Sequence, residues 1–283
     1  MSMKSKLLLA AALLLTCGSA IAQPSSFSQP RLLIKATDTG LMAPVWSPDG
    51  QMIAVTGDNF VGIYVANADG SELKKVSDAT GAGFRMSWSG SRQLISTPYS
   101  MLHNRRMTRV ERIDARTGKV QSVEPEVRDH KPSRVLSRSS NTLNIMLDQP
   151  DKATTLIAGL NEYAGRMVLN PALSPDGSRI AFQIVGKGLF VCNTDGTGLK
   201  SLGRGSHPTW MPDGQNLMIT RIEDNGDVFT RSDIFCLNIA SGEATCITPS
   251  TDAIPITIAV SPDGSKLAFD NDVDGCIYVI DLK

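Results

Sequence analysis

The protein has 283 residues, 41% of them hydrophobic, which allows one large domain or two small ones with a full core. Its 28 lysines and arginines equal its 28 aspartates and glutamates, so the formal net charge is zero. This balance gives no reason to expect a nucleic-acid-binding protein.

The first 22 residues predict a secretory signal peptide. Lys4 and Lys6 precede the apolar run LLLAAALLLT, which is too short to span a bilayer, and Ala20–Ala22 supplies small residues for cleavage near Ala22. We therefore expect a periplasmic or secreted protein without a transmembrane segment. The alternative is a lipoprotein anchored through Cys17, although Thr16 stands where Gly, Ala or Ser is usual. Residues 23–30 are predicted to be a flexible lead-in.

A Ser-Pro-Asp-Gly motif then recurs along the chain, with four clear copies and two eroded ones. Its first position falls, in chain order, at Ser47, Ser89, Ser137, Ser174, Met211 and Ser261. The spacings of 42, 48, 37, 37 and 50 residues fit a propeller blade of four short strands.

Each repeat has the same predicted elements. In the first copy, PVWS reads as a strand, Pro-Asp-Gly as a turn, QMIAV as the second strand, GIYVAN as the third and LKKVS as the fourth. No segment after the predicted signal shows helical periodicity. The last copy ends after its third strand, CIYVIDLK, and a spare strand, RLLIKAT, precedes the first copy. We predict an all-β, six-bladed β-propeller over residues 31–283, closed by this N-terminal strand in the last blade, which leaves no open sheet edge.

The repeat WSPDG, IA, IYV, DG resembles the propeller repeat of TolB, the periplasmic partner in the Tol–Pal envelope system, over the whole chain after the predicted signal. Related repeats occur in peptidase propellers and in oligogalacturonate lyases. TolB carries an α/β domain before its propeller, and we expect none here because the repeats fill the chain. The resemblance implies a protein partner bound at the channel mouth.

The repeat places the Pro-Asp-Gly turns on one face and the variable loops on the other, where function usually lies. All three histidines map to the variable face: His103 in YSMLHNRRM, His130 in RDHKP and His207 in GSHPTW. We predict that the variable face contacts a partner. The predicted contact residues are Tyr99, His103, Arg105, Arg106, Lys131 and His207.

Charge also favours this surface. Residues 103–138 hold ten lysines and arginines against five acids, whereas residues 206–283 hold four against twelve. The basic segment HNRR suits an acidic partner.

Catalysis is not favoured by the sequence. No serine has the Gly-x-Ser-x-Gly context of a nucleophile elbow, and the histidines follow no pairing motif. We predict a monomeric, non-enzymatic interaction module without a cofactor, whose partner is an envelope or periplasmic protein. The alternative is a carbohydrate-active lyase or other ligand-processing propeller of the oligogalacturonate-lyase type, with histidines at the channel mouth as metal ligands.

Two finer predictions concern carboxylates and cysteines. Asp270, Asp272 and Asp274 match the spacing of an EF-hand calcium loop, but they cross a strand–turn–strand, so we predict no metal requirement. Cys236 and Cys246 flank LNIASGEAT, and a three-residue loop at 240–242 would place them opposite each other. We predict a disulfide between them, which an oxidising compartment permits.

Overall fold

The computed structural model describes residues 26–123, 135–139, 142–146, 155–156, 160–163, 166–249 and 251–283. Strands dominate these residues, and the helical segments among them are two short 3₁₀ turns, Asp58–Phe60 and Leu160–Tyr163. No helix in the described ranges is long and apolar enough to cross a membrane. The predicted signal peptide and the Cys17 alternative lie outside the described residues.

The strands pair into small antiparallel sheets, numbered here in chain order. The strands of sheets one and two are β2 (Leu41–Trp46), β3 (Met52–Gly57), β4 (Ile63–Asn67) and β5 (Lys74–Ser77), then β6 (Ser87–Ser89), β7 (Gln93–Ser96), β10 (Val110–Asp114) and β11 (Val120–Val123). Between β7 and β10 stands a separate hairpin of β8 (Tyr99–Leu102) and β9 (Arg105–Thr108). Sheet three comprises β12 (Val135–Ser139), β13 (Thr142–Met146) and β14 (Thr155–Leu156).

The second half repeats the pattern of the first. Sheet four comprises β15 (Val168–Leu173), β16 (Arg179–Ile184), β17 (Gly188–Asn193) and β18 (Lys200–Gly203). Sheet five comprises β19 (Ser206–Trp210), β20 (Asn216–Asp224), β21 (Phe229–Asn238) and β22 (Ala244–Cys246). Sheet six comprises β23 (Pro255–Val260), β24 (Lys266–Asn271), β25 (Ile277–Asp281) and the N-terminal strand β1 (Arg31–Ile34).

The predicted pairing of the N-terminal strand with the last repeat is present. Arg31 and Leu32 lie opposite Val279 and Tyr278 in β25. Before this strand, Ser26 and Lys283 exchange backbone hydrogen bonds of 3.3 and 3.1 Å. The Phe27 ring packs on the core formed by sheets five and six.

The core lies between consecutive sheets. One apolar cluster joins sheet six to sheet one, and others join sheets one and two, four and five, and five and six. The central strands of sheets one, five and six are therefore covered on both faces, and all six residues of β3 are buried. This is why segments such as MIAVTG read as continuous rather than alternating apolar runs.

Tryptophans fasten neighbouring sheets at one position of the repeat. Trp46, Trp88 and Trp210 each stand just before the motif's first residue, and each donates its indole N–H to a carbonyl in the first strand of another sheet. The acceptors are the carbonyls of Ala259, Val45 and Ala172, at 3.1, 3.1 and 2.9 Å. A buried indole N–H needs a partner, so the repeated tryptophan sets the position of one sheet against the next.

The repeated turn is held by its own side chains. In the first copy, Ser47 Oγ donates to Asp49 at 2.7 Å and accepts the backbone N–H of Met52 at 2.9 Å. The copies at Ser174 and Ser261 repeat both bonds. The Ser174 hydroxyl with Ser178, and the Ser261 hydroxyl with Ser265, donate to the carboxylates and lower the pKa of Asp176 and of Asp263 to about 2. One eroded copy differs from the prediction, because Ser137 lies inside β12 rather than at a turn.

Candidate functional site

The β8–β9 hairpin, residues 99–108, is here named the basic hairpin. It connects the second and third strands of sheet two. It corresponds to the long variable loop that was predicted from the sequence. His103 and Asn104 form its turn with φ of 47° and 59°. Two left-handed residues of this kind produce the twist that a two-residue hairpin needs, and asparagine tolerates the conformation well.

The basic hairpin brings together four of the predicted contact residues. Tyr99 lies opposite Thr108, and Leu102 lies opposite Arg105 across the strand pair. The Arg106 guanidinium stacks over the Tyr99 ring at 3.8 Å from its centroid, which is a close cation–π contact. Tyr99, His103, Arg105 and Arg106 therefore share one projecting element.

The base of the hairpin is anchored to the connection between sheets one and two. Tyr99 donates its N–H to Thr80 at 3.0 Å, and Arg109 donates its N–H to Pro98 at 3.1 Å. A Cβ at Gly81 would lie 2.6 Å from the Tyr99 ring, so only glycine allows the ring to pack there. The anchor fixes the base, while residues 101–110 are exposed along their whole length.

Apolar side chains are part of this exposed surface. Met101 is 62% exposed, and Leu102 and Met107 are also exposed. Phe84, three residues after Gly81, is also exposed, and its ring packs edge-on against Phe60 with the ring centroids 5.3 Å apart. Exposed methionine, leucine and arginine on a rigid support are typical of an interaction surface rather than of a folded core.

A positive φ recurs at one position of the repeat, in or just before the first strand of four sheets. Ala43, Arg85, Asn170 and His207 each stand four residues before the motif's first position, and all have φ between 48° and 56°. Pairing shifts register beside three of them, which marks β-bulges in β2, β15 and β19. A left-handed non-glycine residue costs on the order of 1 kcal/mol, so the fold accepts this strain repeatedly at one level.

Sheet six has Thr257 at this level, and a buried carboxylate holds its backbone. Asp270 accepts the N–H of Thr257 at 2.7 Å, the Thr257 hydroxyl at 2.6 Å and the N–H of Ala43 in sheet one at 3.0 Å. Burial raises the pKa of Asp270, and these donors act in the opposite direction. Asp270 therefore joins the first strand of sheet six to the first strand of sheet one.

His207 is placed differently from the other predicted contact residues. It lies in β19, and its Nδ1 stands 3.4 Å from the Thr220 hydroxyl. The pKa of His207 is lowered because the side chain is buried, and the nearby Asp270 carboxylate offsets only part of this shift. His207 belongs to the inner strands and not to the basic hairpin. Lys131 and His130 lie outside the described residues.

The aspartates of the EF-hand spacing are used separately. Asp270 is bound by the backbone donors described above, and Asp274 accepts the Tyr278 hydroxyl at 2.8 Å and the N–H of Cys276 at 3.0 Å. Asp272 is exposed. In the part of the chain that the structure describes, no group of three or more His, Cys, Asp and Glu side chains is placed to hold a metal ion.

The predicted register around the two cysteines is wrong. Cys236 lies opposite Thr245, and Cys246 lies opposite Phe235, so the thiols point to opposite faces and are free. The cause is the Asn238 side chain, whose Oδ1 accepts the N–H groups of Ala240 and Ser241 at 3.1 and 3.0 Å. This Asx turn starts the loop one residue earlier than predicted and shifts the strand by one position.

The sequence carried a signal for two hairpins that was not used, although the contact residues of the first were predicted. The stretch YSMLHNRRM alternates around His-Asn, which is a hairpin pattern, and DNGD at 224–227 contains the Asn-Gly pair that strongly favours a hairpin turn. Both stretches form hairpins that extend beyond their sheets.

Comparison with known proteins supports the fold. The β-propeller domain of Cps50 (Swd1) from Myceliophteria thermophila matches with a TM-score of 0.50 and 9% identity, over 90% of this chain and 100% of that chain. An oligogalacturonate lyase from Vibrio parahaemolyticus matches with a TM-score of 0.47 and 13% identity, over 88% of this chain and 79% of that one. The protein has a β-propeller fold.

No known family matches the chain. No curated protein matches it either.

Proposed function

We propose that this protein is an exported, non-enzymatic β-propeller of the TolB type that binds an envelope or periplasmic protein through its variable-loop face. The basic hairpin carries the proposal, because it combines arginines, a stacked tyrosine and exposed apolar side chains on a projecting strand pair. Arginine and tyrosine are common anchors in interfaces, and methionine adapts its shape to a partner.

The proposal includes a ring of six blades closed by β1. Pairing of β1 with β25 supports this closure. The apolar clusters between sheets six and one, and one and two, run continuously from the seam into the first blades. A rigid ring would hold the basic hairpin at a fixed angle, which lowers the entropy lost on binding.

The partner is expected to be acidic where it meets the hairpin. Arg105 and Arg106 form no ion pair among the described residues, so their charges are available to a partner. Arg109 is different, because its Nε lies 2.5 Å from the buried carboxylate of Glu111. Substituting Arg109 would therefore disturb the fold, whereas substituting Arg105 and Arg106 tests binding.

The experiment uses a photo-crosslinking residue at position 101 of the full chain in the cells that produce it. We expect a crosslink to an envelope protein from position 101 and none from position 51, at a Pro-Asp-Gly turn. The double substitution Arg105→Glu with Arg106→Glu should reduce the crosslink. Arg116→Glu with Lys119→Glu is the matched control, because it makes the same charge change at the other end of sheet two.

Equal crosslinking from position 51 would contradict the assignment of this face. An undiminished crosslink from position 101 in the Arg105→Glu, Arg106→Glu protein would contradict it as well. The lyase alternative has its own readout, which is cleavage of oligogalacturonate on adding divalent metal ions. Cleavage that is lost in His207→Ala would replace the binding proposal with an enzymatic one.

A further inference from the structure

A second hairpin extends from sheet five. The pairing of β20 with β21 continues as far as Asp224 opposite Phe229, and residues 223–231 are all exposed. The Asn225 side chain organises the turn by accepting the N–H groups of Asp227 and Val228, both at 3.0 Å. Residues 223–231 are named the acidic hairpin.

The acidic hairpin presents carboxylates beside apolar side chains. Glu223, Asp224 and Asp227 form no ion pair among the described residues. Val228 is 60% exposed, and Phe229 is exposed beside it. Arg231 does not neutralise these acids, because its guanidinium lies 2.8 Å from Asp233.

The basic hairpin is its complement. It offers two arginines that are unpaired among the described residues, together with exposed methionines and a leucine. The molecule thus carries two projecting strand pairs of opposite charge, each with an apolar surface. Complementary charge selects which surfaces meet, and apolar contact then adds affinity.

Topology places both hairpins at the same end of the fold, because each connects the second strand of its sheet to the third. They belong to sheets two and five, which stand half a ring apart in the six-bladed ring of the proposed function. A two-fold axis lying in this face would place the basic hairpin of each copy on the acidic hairpin of the other. A two-fold interface forms every contact twice.

We propose that two copies of this protein associate face to face through these hairpins. The inference rests on the ring of the proposed function for its geometry. It goes beyond that function, because the second copy covers the face that the external partner would use. The partner and the second copy therefore compete for the basic hairpin.

The test measures the mass of the purified full chain by sedimentation velocity. Two hairpin contacts make a small interface, so the concentrations should bracket a Kd on the order of 10 μM. We expect a dimer at about 0.05 M NaCl that dissociates at about 0.5 M, because exposed charges are screened by salt. Arg105→Glu with Arg106→Glu should weaken association about tenfold or more, since each altered contact occurs twice. Asp224→Lys with Asp227→Lys should do the same, and Arg116→Glu with Lys119→Glu should not.

Mixing the two reversed proteins is the decisive step. Each one alone opposes like charges at both contacts, whereas a mixed pair restores opposite charges at both. We expect the mixture to form a heterodimer although each variant alone is monomeric. Unchanged thermal unfolding of the variants shows that they are folded.

Three results would overturn the inference: a monomeric native protein at low salt, dimers that survive both reversals, or reversed proteins that do not associate when mixed. These outcomes are separate from failure of the proposed function. The product crosslinked to a second copy has twice the mass of the chain, whereas the product crosslinked to an envelope protein has the mass of the chain plus that of the partner.

Discussion

Strand β1 should contribute strongly to stability although it lies far in sequence from the sheet that it joins. Ile34 is 2% exposed and belongs to the apolar cluster between sheets six and one, together with Ile277 and Trp46. Replacing a buried isoleucine by alanine costs about 2–5 kcal/mol, and a position near the sheet edge suggests about 3 kcal/mol for Ile34→Ala. At about 2–4 °C per kcal/mol for a chain of this size, Tm should fall by about 6–12 °C.

Leu32→Ala is the matched control in the same strand. Leu32 is 49% exposed, so its truncation should cost less than about 1 kcal/mol. The assay is thermal unfolding followed by circular dichroism, with urea unfolding as a second measure. If both variants unfold with the same midpoint, β1 is not part of the cooperative unit, and the assignment of this strand to the seam is wrong.

Other predictions address the inter-sheet contacts, the turns and the thiols. Trp210→Phe removes the donor to the Ala172 carbonyl and should lower the free energy of unfolding by about 1–3 kcal/mol in urea titration, and a loss below that range would show that the bond contributes little. Because the pKa of Asp176 is lowered in the folded protein to about 2, its stabilisation is present above the unfolded pKa and is lost as pH falls from about 4 to 2. Asp176→Asn should therefore flatten the acid side of the plot of Tm against pH, and an unchanged slope would refute this. Burial raises the pKa of Cys236 to about 11, so iodoacetamide at neutral pH should label Cys246 well before Cys236, and equal labelling or a disulfide found by peptide mapping would contradict the register.

The fold was predictable because its signals are local and repeated. The turns at Ser47, Ser174 and Ser261 are held by bonds within a few residues, such as Ser47 to Asp49, so these copies report the same strand–turn–strand unit. The spare strand at residues 31–37 could be matched to the incomplete last copy by the same counting. Its pairing with β25 needed only that one sheet lacked a strand.

The candidate site was predictable only in part. The sequence placed Tyr99, His103, Arg105 and Arg106 in one loop, and the structure places them on one hairpin. It also grouped His207 with them, but His207 lies in an inner strand, because a bulge and burial decide where that side chain goes. Loop length in sequence does not state whether a residue projects or packs inward.

What the sequence by itself determined is the repeat, the turns and the strands, because these depend on neighbours along the chain. What only the tertiary structure decided is the relation between distant residues. The register of the two cysteines was decided by the Asn238 side chain, which makes the loop one residue longer than predicted. A shift of one residue moves every following side chain to the other face of the sheet. The link of Asp270 to Ala43 in sheet one joins residues more than two hundred positions apart, and only the packing of sheets brings such groups together.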